Sequence, residues 1–90
     1  MNTSSGAALI NEVEINLTLF CQQTKPGETV KVTGNTSELG NWNPVRASGL
    51  VTGPTEFPKW KAKIKIANAE QIGKLEYKYM ILREIDNHVI

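Results

Sequence analysis

Few residues of this 90-residue chain have the chemistry that catalysis or metal binding requires. There is one histidine, His88, and one cysteine, Cys21, and the carboxylates are scattered with no nucleophile motif and no metal-ligand spacing. Catalysis needs titratable groups that are clustered. We therefore expect no enzymatic activity, no metal site and no cofactor. His88 is expected to be a solvated edge residue, and Cys21 a small packing residue.

The two tryptophans differ in their surroundings. Trp60 is in phase with Ile64 and Ile66, which predicts that its ring is part of the core. Trp42 instead lies in residues 34–44, a segment dense in glycine, asparagine and serine, where a loop has no packing reason to carry an indole. A fixed, exposed indole offers a flat face on which the C–H groups of a sugar ring can stack. Trp42 is thus the candidate binding residue, and the alternative is that it plugs one end of the fold.

Lysines occupy every second position from Lys59 to Lys65, between the apolar residues of the same segment. They form either a solvated strand face that resists aggregation or a basic patch for phosphate groups. We favour the solvated face, because no aromatic residues are interleaved with the lysines and glutamates elsewhere balance the charge.

Alternation of apolar and polar residues predicts an all-β chain. The predicted strands are Val13–Leu19, Thr29–Thr33, Ala47–Thr52, Trp60–Ile66, Lys74–Leu82 and a return strand opening at His88. Within the fifth strand, Leu75, Tyr77, Tyr79 and Ile81 are predicted to face the core, with Lys78 on the opposite face. Short strands separated by turns predict an immunoglobulin-like antiparallel β-sandwich, or an open-sided distorted barrel.

Length and charge limit the possible partners. Ninety residues make one domain, and the net charge of +1 argues against nucleic acid. No apolar run is long enough to cross a membrane, and residues 1–12 have the composition of a flexible leader rather than of a signal peptide. The single cysteine favours a reducing compartment, so we expect the cytoplasm, with secretion as the alternative.

Four motifs follow one another along the chain in a specific order. They are Val32-Thr33-Gly34, Ser37-Glu38-Leu39-Gly40-Asn41-Trp42, Pro58-Lys59-Trp60 and Leu75-Glu76-Tyr77-Lys78-Tyr79. Together they resemble the starch-binding domain, carbohydrate-binding module family 20, from about Val13 to the end of the chain.

The resemblance implies a non-catalytic module that binds α-1,4-linked glucan, such as starch, glycogen or a maltooligosaccharide, and that is usually appended to a catalytic domain. It implies that Trp42 stacks on the sugar and that Lys78 donates hydrogen bonds to sugar hydroxyls. The competing hypothesis is a protein–protein interaction domain of the same fold that has lost sugar binding.

The sequence departs from the family pattern in two ways. The family's second stacking tryptophan comes just after the Glu76-Tyr77-Lys78 strand, on the strand that opens at His88, and the sequence reaches Ile90 without supplying it. We therefore expect residues 13–90 to form the module with its closing strands missing. The tyrosines of the family's second sugar site are also absent, since Pro26 and the residues near Gly53 stand in their places, and no second site of the usual kind is expected.

Overall fold

The structure, a computed structural model, describes residues 12–67 and 73–90. The leader predicted for residues 1–12 therefore lies, apart from Glu12, outside the described residues. Within the two described ranges, no helix is long and apolar enough to cross a membrane.

The described residues form strands joined by turns and two short 3-10 segments. The strands are β1 (Val13–Phe20), β2 (Glu28–Gly34), β3 (Ser48–Gly49), β4 (Lys59–Ile66), β5 (Tyr77–Arg83) and β6 (His88–Val89), and the 3-10 segments are Ser37–Trp42 and Pro44–Arg46. All strand pairs are antiparallel, in one sheet of order β1-β4 and a second of order β3-β2-β5-β6. This confirms the predicted all-β sandwich with open sides.

The β1-β4 sheet has one apolar and one polar face, as its alternation predicted. Leu17, Trp60 and Ile66 are buried in the core, whereas the lysines of β4 are exposed on the other face. Since β1 and β4 pair along their full length, from Val13 opposite Ile66 to Phe20 opposite Lys59, each strand shields the inner side chains of the other.

The opposing sheet supplies the other half of the core. Val30 and Val32 of β2 are almost fully buried, and their register partners Ile81 and Tyr79 on β5 pack against the same cluster. Cys21, just past β1, is buried in this cluster, which confirms its predicted role as a packing residue. His88 lies exposed on the short edge strand β6, as predicted.

The third strand is much shorter than the predicted Ala47–Thr52, because this segment passes from one sheet to the other. Residues 48–49 pair with β2, and the amide of Leu50 still donates to the Val30 carbonyl at 2.9 Å. Val51 then forms a bridge with Lys61 of β4. The alternation is weak here because the segment has no single sheet face to follow.

The predicted core face of β5 is correct for Leu75, Tyr79 and Ile81, but not for Tyr77, which is 44% exposed. Tyr77 pairs with Gly34, the last residue of β2, which offers no side chain to cover it. On the opposite face Leu82 is fully buried, and its register partners in the sheet are Thr29 of β2 and Val89 of β6.

Candidate functional site

The segment that carries Trp42, residues 35–46, is here called the tryptophan loop. Its first 3-10 segment, Ser37–Trp42, is capped by Thr36, whose side-chain oxygen accepts a hydrogen bond from the amide of Leu39 at 3.2 Å. The carbonyl of Thr36 also accepts from the amides of Leu39 and Asn41, at 3.1 and 2.9 Å. Threonine suits this position because its hydroxyl satisfies an amide that otherwise lacks a partner.

Three consecutive residues of the tryptophan loop have left-handed backbone conformations. The φ angles are 80° at Gly40, 50° at Asn41 and 66° at Trp42. A left-handed conformation costs a residue with a side chain on the order of 1 to 3 kcal/mol, although asparagine tolerates it better than most. The surrounding structure therefore has to hold Trp42 in place, and backbone strain of this kind is concentrated at binding sites.

Gly40 is required at its position for two reasons. Its φ is one that residues with side chains rarely adopt, and a Cβ there would come within 2.6 Å of the carbonyl oxygen of Arg46. The middle of the loop therefore packs directly on the backbone of its last residue. Asn43 stabilises the same return, since its side-chain oxygen accepts from the amide of Val45 at 3.0 Å.

Hydrogen bonds from three strands fix the loop to the sandwich. The buried hydroxyl of Thr33, on β2, donates to the carbonyl of Leu39 at 2.8 Å. The hydroxyl of Ser48, on β3, donates to the carbonyl of Glu38 at 3.0 Å, and the amide of Ala67, at the end of β4, donates to the Glu38 carboxylate at 2.9 Å. The Leu39 side chain is inserted into the core. Trp42 is thus held by an anchored loop rather than by a mobile one.

Glu38 is ionised more readily than an ordinary glutamate. The hydrogen bond from the Ala67 amide, helped by its own backbone amide, lowers the pKa of this carboxyl. Because the charged form accepts the Ala67 hydrogen bond best, protonation weakens the contact between the tryptophan loop and β4.

Trp42 and Lys78 lie on the walls of one concavity, here called the tryptophan cavity. Its volume is about 560 Å³, and the residues lining it are Trp42, Pro44, Lys78, Tyr79, Met80, Ile81, Val89 and Ile90. Trp42 is 44% exposed, so part of its side chain is accessible to a ligand and the remainder is covered by the protein. The other walls are predominantly apolar, which suits the hydrophobic faces of a ligand that carries polar groups at its edges.

Lys78 reaches the cavity from the outer face of β5. It pairs with Thr33, the residue whose hydroxyl anchors the tryptophan loop. Lys78 is exposed and, among the described residues, takes part in no ion pair. Its ammonium group is therefore available to donate hydrogen bonds to a molecule in the cavity.

The second tryptophan, Trp60, has a structural role, as its place in the apolar alternation of β4 predicted. Trp60 is 6% exposed, and its indole N–H donates to the carbonyl of Cys21 at 3.1 Å. Phe57 packs edge-on against it, with ring centroids 6.5 Å apart. Of the two indoles, Trp42 is the one accessible to a ligand.

Four residues of the cavity were not singled out from the sequence: Pro44, Met80, Val89 and Ile90. Met80 could have been found, because the period of two places it on the same face of β5 as Lys78. Pro44, Val89 and Ile90 come from a loop and a short return strand, and their approach to Trp42 depends on tertiary structure. All four are apolar, so they add to the apolar lining of the cavity.

The fold is a β-sandwich, and an anchored, exposed tryptophan lines a shallow concavity on its surface. These features define a small β-sandwich binding module rather than an enzyme scaffold. A sequence profile of the starch-binding domain family matches residues 12–90. The chain belongs to this family, the non-catalytic carbohydrate-binding modules of family 20.

Individual relatives and solved structures agree with this assignment. The chain is 34% identical over 74 residues to a glucan 1,4-alpha-maltotetraohydrolase of Roseateles saccharophilus, covering 80% of this chain but only 13% of that protein. It resembles the crystal structure of the family 20 carbohydrate-binding module of the maltotetraose-forming amylase from Pseudomonas saccharophila STB07, with a TM-score of 0.69, 33% identity, and coverage of 86% of this chain and 75% of that one. A glycoside hydrolase family 15 glucoamylase from Hypocrea jecorina matches with a TM-score of 0.72, 29% identity, and coverage of 89% and 13%.

Proposed function

We propose that the module binds α-1,4-glucan chains of starch, glycogen or maltooligosaccharides in the tryptophan cavity, with Trp42 as the stacking platform and Lys78 as a hydrogen-bond donor. The observation that carries the proposal is the geometry of the tryptophan loop, which holds a half-exposed tryptophan in a left-handed backbone at a cavity that Lys78 also lines. Family membership supports the glucan as the ligand.

Recognition by this site involves no covalent chemistry. The indole face takes the C–H groups of a glucose ring, and the aliphatic side chains of Met80 and Val89 exclude water beside it. Lys78, with three donors on a flexible stem, fixes the orientation of the ring through its hydroxyl oxygens. A shallow site of this kind implies a dissociation constant on the order of 10 µM to 1 mM.

Modest affinity suits a module that works next to an enzyme. The relatives that match are amylase-type enzymes of which this chain spans a small part, about 13% in the case of the maltotetraohydrolase. We propose that the module holds an attached or partner catalytic domain on the polysaccharide, where many equivalent sites add to its retention by avidity. The single buried cysteine supports the cytoplasm as its compartment, and secretion together with an extracellular amylase is the alternative.

The test is a titration of tryptophan fluorescence with maltoheptaose, run on the wild type and on Trp42→Ala. Because Trp60 is buried, its emission serves as an internal reference that confirms folding in both proteins. We expect a saturable change in the wild type and none in Trp42→Ala.

Lys78→Met tests the second role, since methionine keeps the length of the side chain but removes its donors. We expect affinity to fall about three- to tenfold, because the net contribution of one hydrogen bond is about 0.5 to 1.5 kcal/mol. Lys74→Met is the matched control, because Lys74 is exposed, precedes β5 and does not line the cavity. If the wild type shows no change up to about 10 mM ligand while folded, sugar binding is refuted and the protein-interaction hypothesis takes its place.

A further inference from the structure

The outer face of β4 carries the strongest concentration of positive charge in the described structure. Lys59, Lys61, Lys63 and Lys65 are all exposed on it, about 7 Å apart along a line of roughly 20 Å. We call this surface the lysine face. It belongs to the β1-β4 sheet, whereas the tryptophan cavity is built on the outer face of the other sheet, so the two surfaces lie on opposite sides of the sandwich.

The lysine face is only partly neutralised by its neighbours. Across the sheet its register partners on β1 are Phe20, Thr18, Asn16 and Glu14. Lys61 forms an ion pair with Glu56 at 3.2 Å, and Glu14 lies opposite Lys65. With four ammonium groups and these two carboxylates, the described face keeps a surplus of two positive charges.

Polar residues lie around the middle of this face. A concavity of about 300 Å³ there is lined by Lys61, Lys63, Thr18, Asn16 and Val51, together with Leu17 and Ala62. Two ammonium groups, a hydroxyl and an amide can all donate hydrogen bonds, which is the set of groups that recognises an anion. A phosphate monoester carries a charge of about −1.5 to −2 at pH 7, which matches the surplus on the face.

We propose that the lysine face binds phosphate monoesters carried on the α-glucan itself, with Lys61 and Lys63 as the main contacts. This inference rests on the proposed glucan-binding function. A domain held on the polysaccharide by Trp42 presents its opposite side to neighbouring chains at high local concentration, so even a weak phosphate contact adds to retention. The concavity that Lys61 and Lys63 line together with Thr18 and Asn16 favours a compact anionic group over an extended acidic peptide, which would use the full line of lysines.

The experiment compares binding of the full chain to amylopectin bearing phosphate monoesters and to the same polymer after phosphatase treatment. At a salt concentration of about 20 mM we expect the wild type to bind the phosphate-bearing polymer about three- to tenfold more tightly, and at about 0.5 M salt we expect the difference to disappear, because exposed charges are screened. The double variant Lys61→Gln with Lys63→Gln should bind both polymers equally, at the wild-type affinity for the phosphatase-treated one. Lys74→Gln, which removes an exposed lysine elsewhere, should keep the preference.

Two further arms identify the anion. Inorganic phosphate at about 10 mM and constant ionic strength should reduce wild-type binding toward the level of the treated polymer, and its failure to do so would refute phosphate as the recognised group. If poly-glutamate binds the wild type as tightly as the phosphate-bearing polymer and loses binding in the double variant, the partner is an acidic protein and the inference is wrong.

The outcomes separate this inference from the proposed function. A wild type that binds neither polymer refutes glucan binding as a whole. A wild type that binds both polymers equally at low salt, or a double variant that keeps the preference for phosphate, refutes only the role of the lysine face. Thermal unfolding of each variant shows that it is folded, and the exposure of the two lysines makes loss of the fold unexpected.

Discussion

Substitution of Gly40 by alanine tests how the tryptophan loop is held. The added Cβ would meet the Arg46 carbonyl oxygen at 2.6 Å and its carbon at 2.7 Å, so the backbone on one side must move. The left-handed conformation itself costs alanine about 1 to 2 kcal/mol, and the displacement of packed backbone adds about 1 to 3 kcal/mol. We therefore expect Gly40→Ala to lower the free energy of unfolding by roughly 2 to 5 kcal/mol.

Gly27→Ala is a matched control for this substitution. Gly27 has a similar φ of 87°, but a Cβ there would meet no atom within 4 Å. It should cost only the conformational part, about 1 to 2 kcal/mol. The difference between the two variants isolates the collision with Arg46.

Urea denaturation monitored by Trp60 fluorescence and circular dichroism measures both variants. Titration with maltoheptaose should show the wild-type affinity in Gly27→Ala and at least a tenfold loss in whatever fraction of Gly40→Ala is folded, because the displaced loop carries Trp42. Equal losses of stability in the two glycine variants, or unchanged affinity in Gly40→Ala, would show that the close packing of this loop is not what positions the indole.

Three other substitutions address the anchors of the site and the core. In Glu38→Gln, the free energy of unfolding should fall less between about pH 5 and pH 3 than it does in the wild type. The reason is that the pKa of Glu38 is lowered in the folded protein, so its carboxylate contributes stability that is lost as the pH falls. Urea titrations at a series of pH values measure this pH dependence. Thr33→Val should cost about 1 to 3 kcal/mol in urea denaturation, since it leaves the buried carbonyl of Leu39 without its donor. Trp60→Phe should lower the melting temperature, because the carbonyl of Cys21 loses its indole donor and a smaller ring fills the core; a melting temperature within a degree or two of the wild type would contradict this.

The sequence predicted those parts of the fold that depend on local alternation. The faces of β1 and β4, the burial of Trp60 and the inward direction of Val30 and Val32 all follow from a period of two, and the structure confirms them. The pairing of β1 with β4 could not be predicted in the same way, because it joins segments far apart in the sequence.

In the candidate site, too, the sequence predicted features that depend on local pattern but not those that depend on tertiary structure. Trp42 stood out because an indole in a polar loop has no packing reason. Lys78 was assigned through the family resemblance, and its position out of phase with the core residues of its strand agreed with that assignment. The left-handed run that presents the indole was not predicted, since residues 41 and 42 adopt it only because hydrogen bonds from several strands hold the loop. The roles of Trp42 and Lys78 in sugar binding stay predictions that the fluorescence titration tests.

The strand pairing also has a consequence for how this domain is made. The two long pairings, β1 with β4 and β2 with β5, each join residues about 40 or more positions apart, and β1 and β2, although adjacent in sequence, belong to different sheets. Among β1, β2, β4 and β5, no strand thus pairs with the next of the four along the chain, and chain entropy has to be lost before the two long pairings form. Folding on the scale of milliseconds to seconds is expected for such a topology. During synthesis the β1 segment emerges well before its partner β4, so its apolar side chains remain uncovered until most of the domain has left the ribosome.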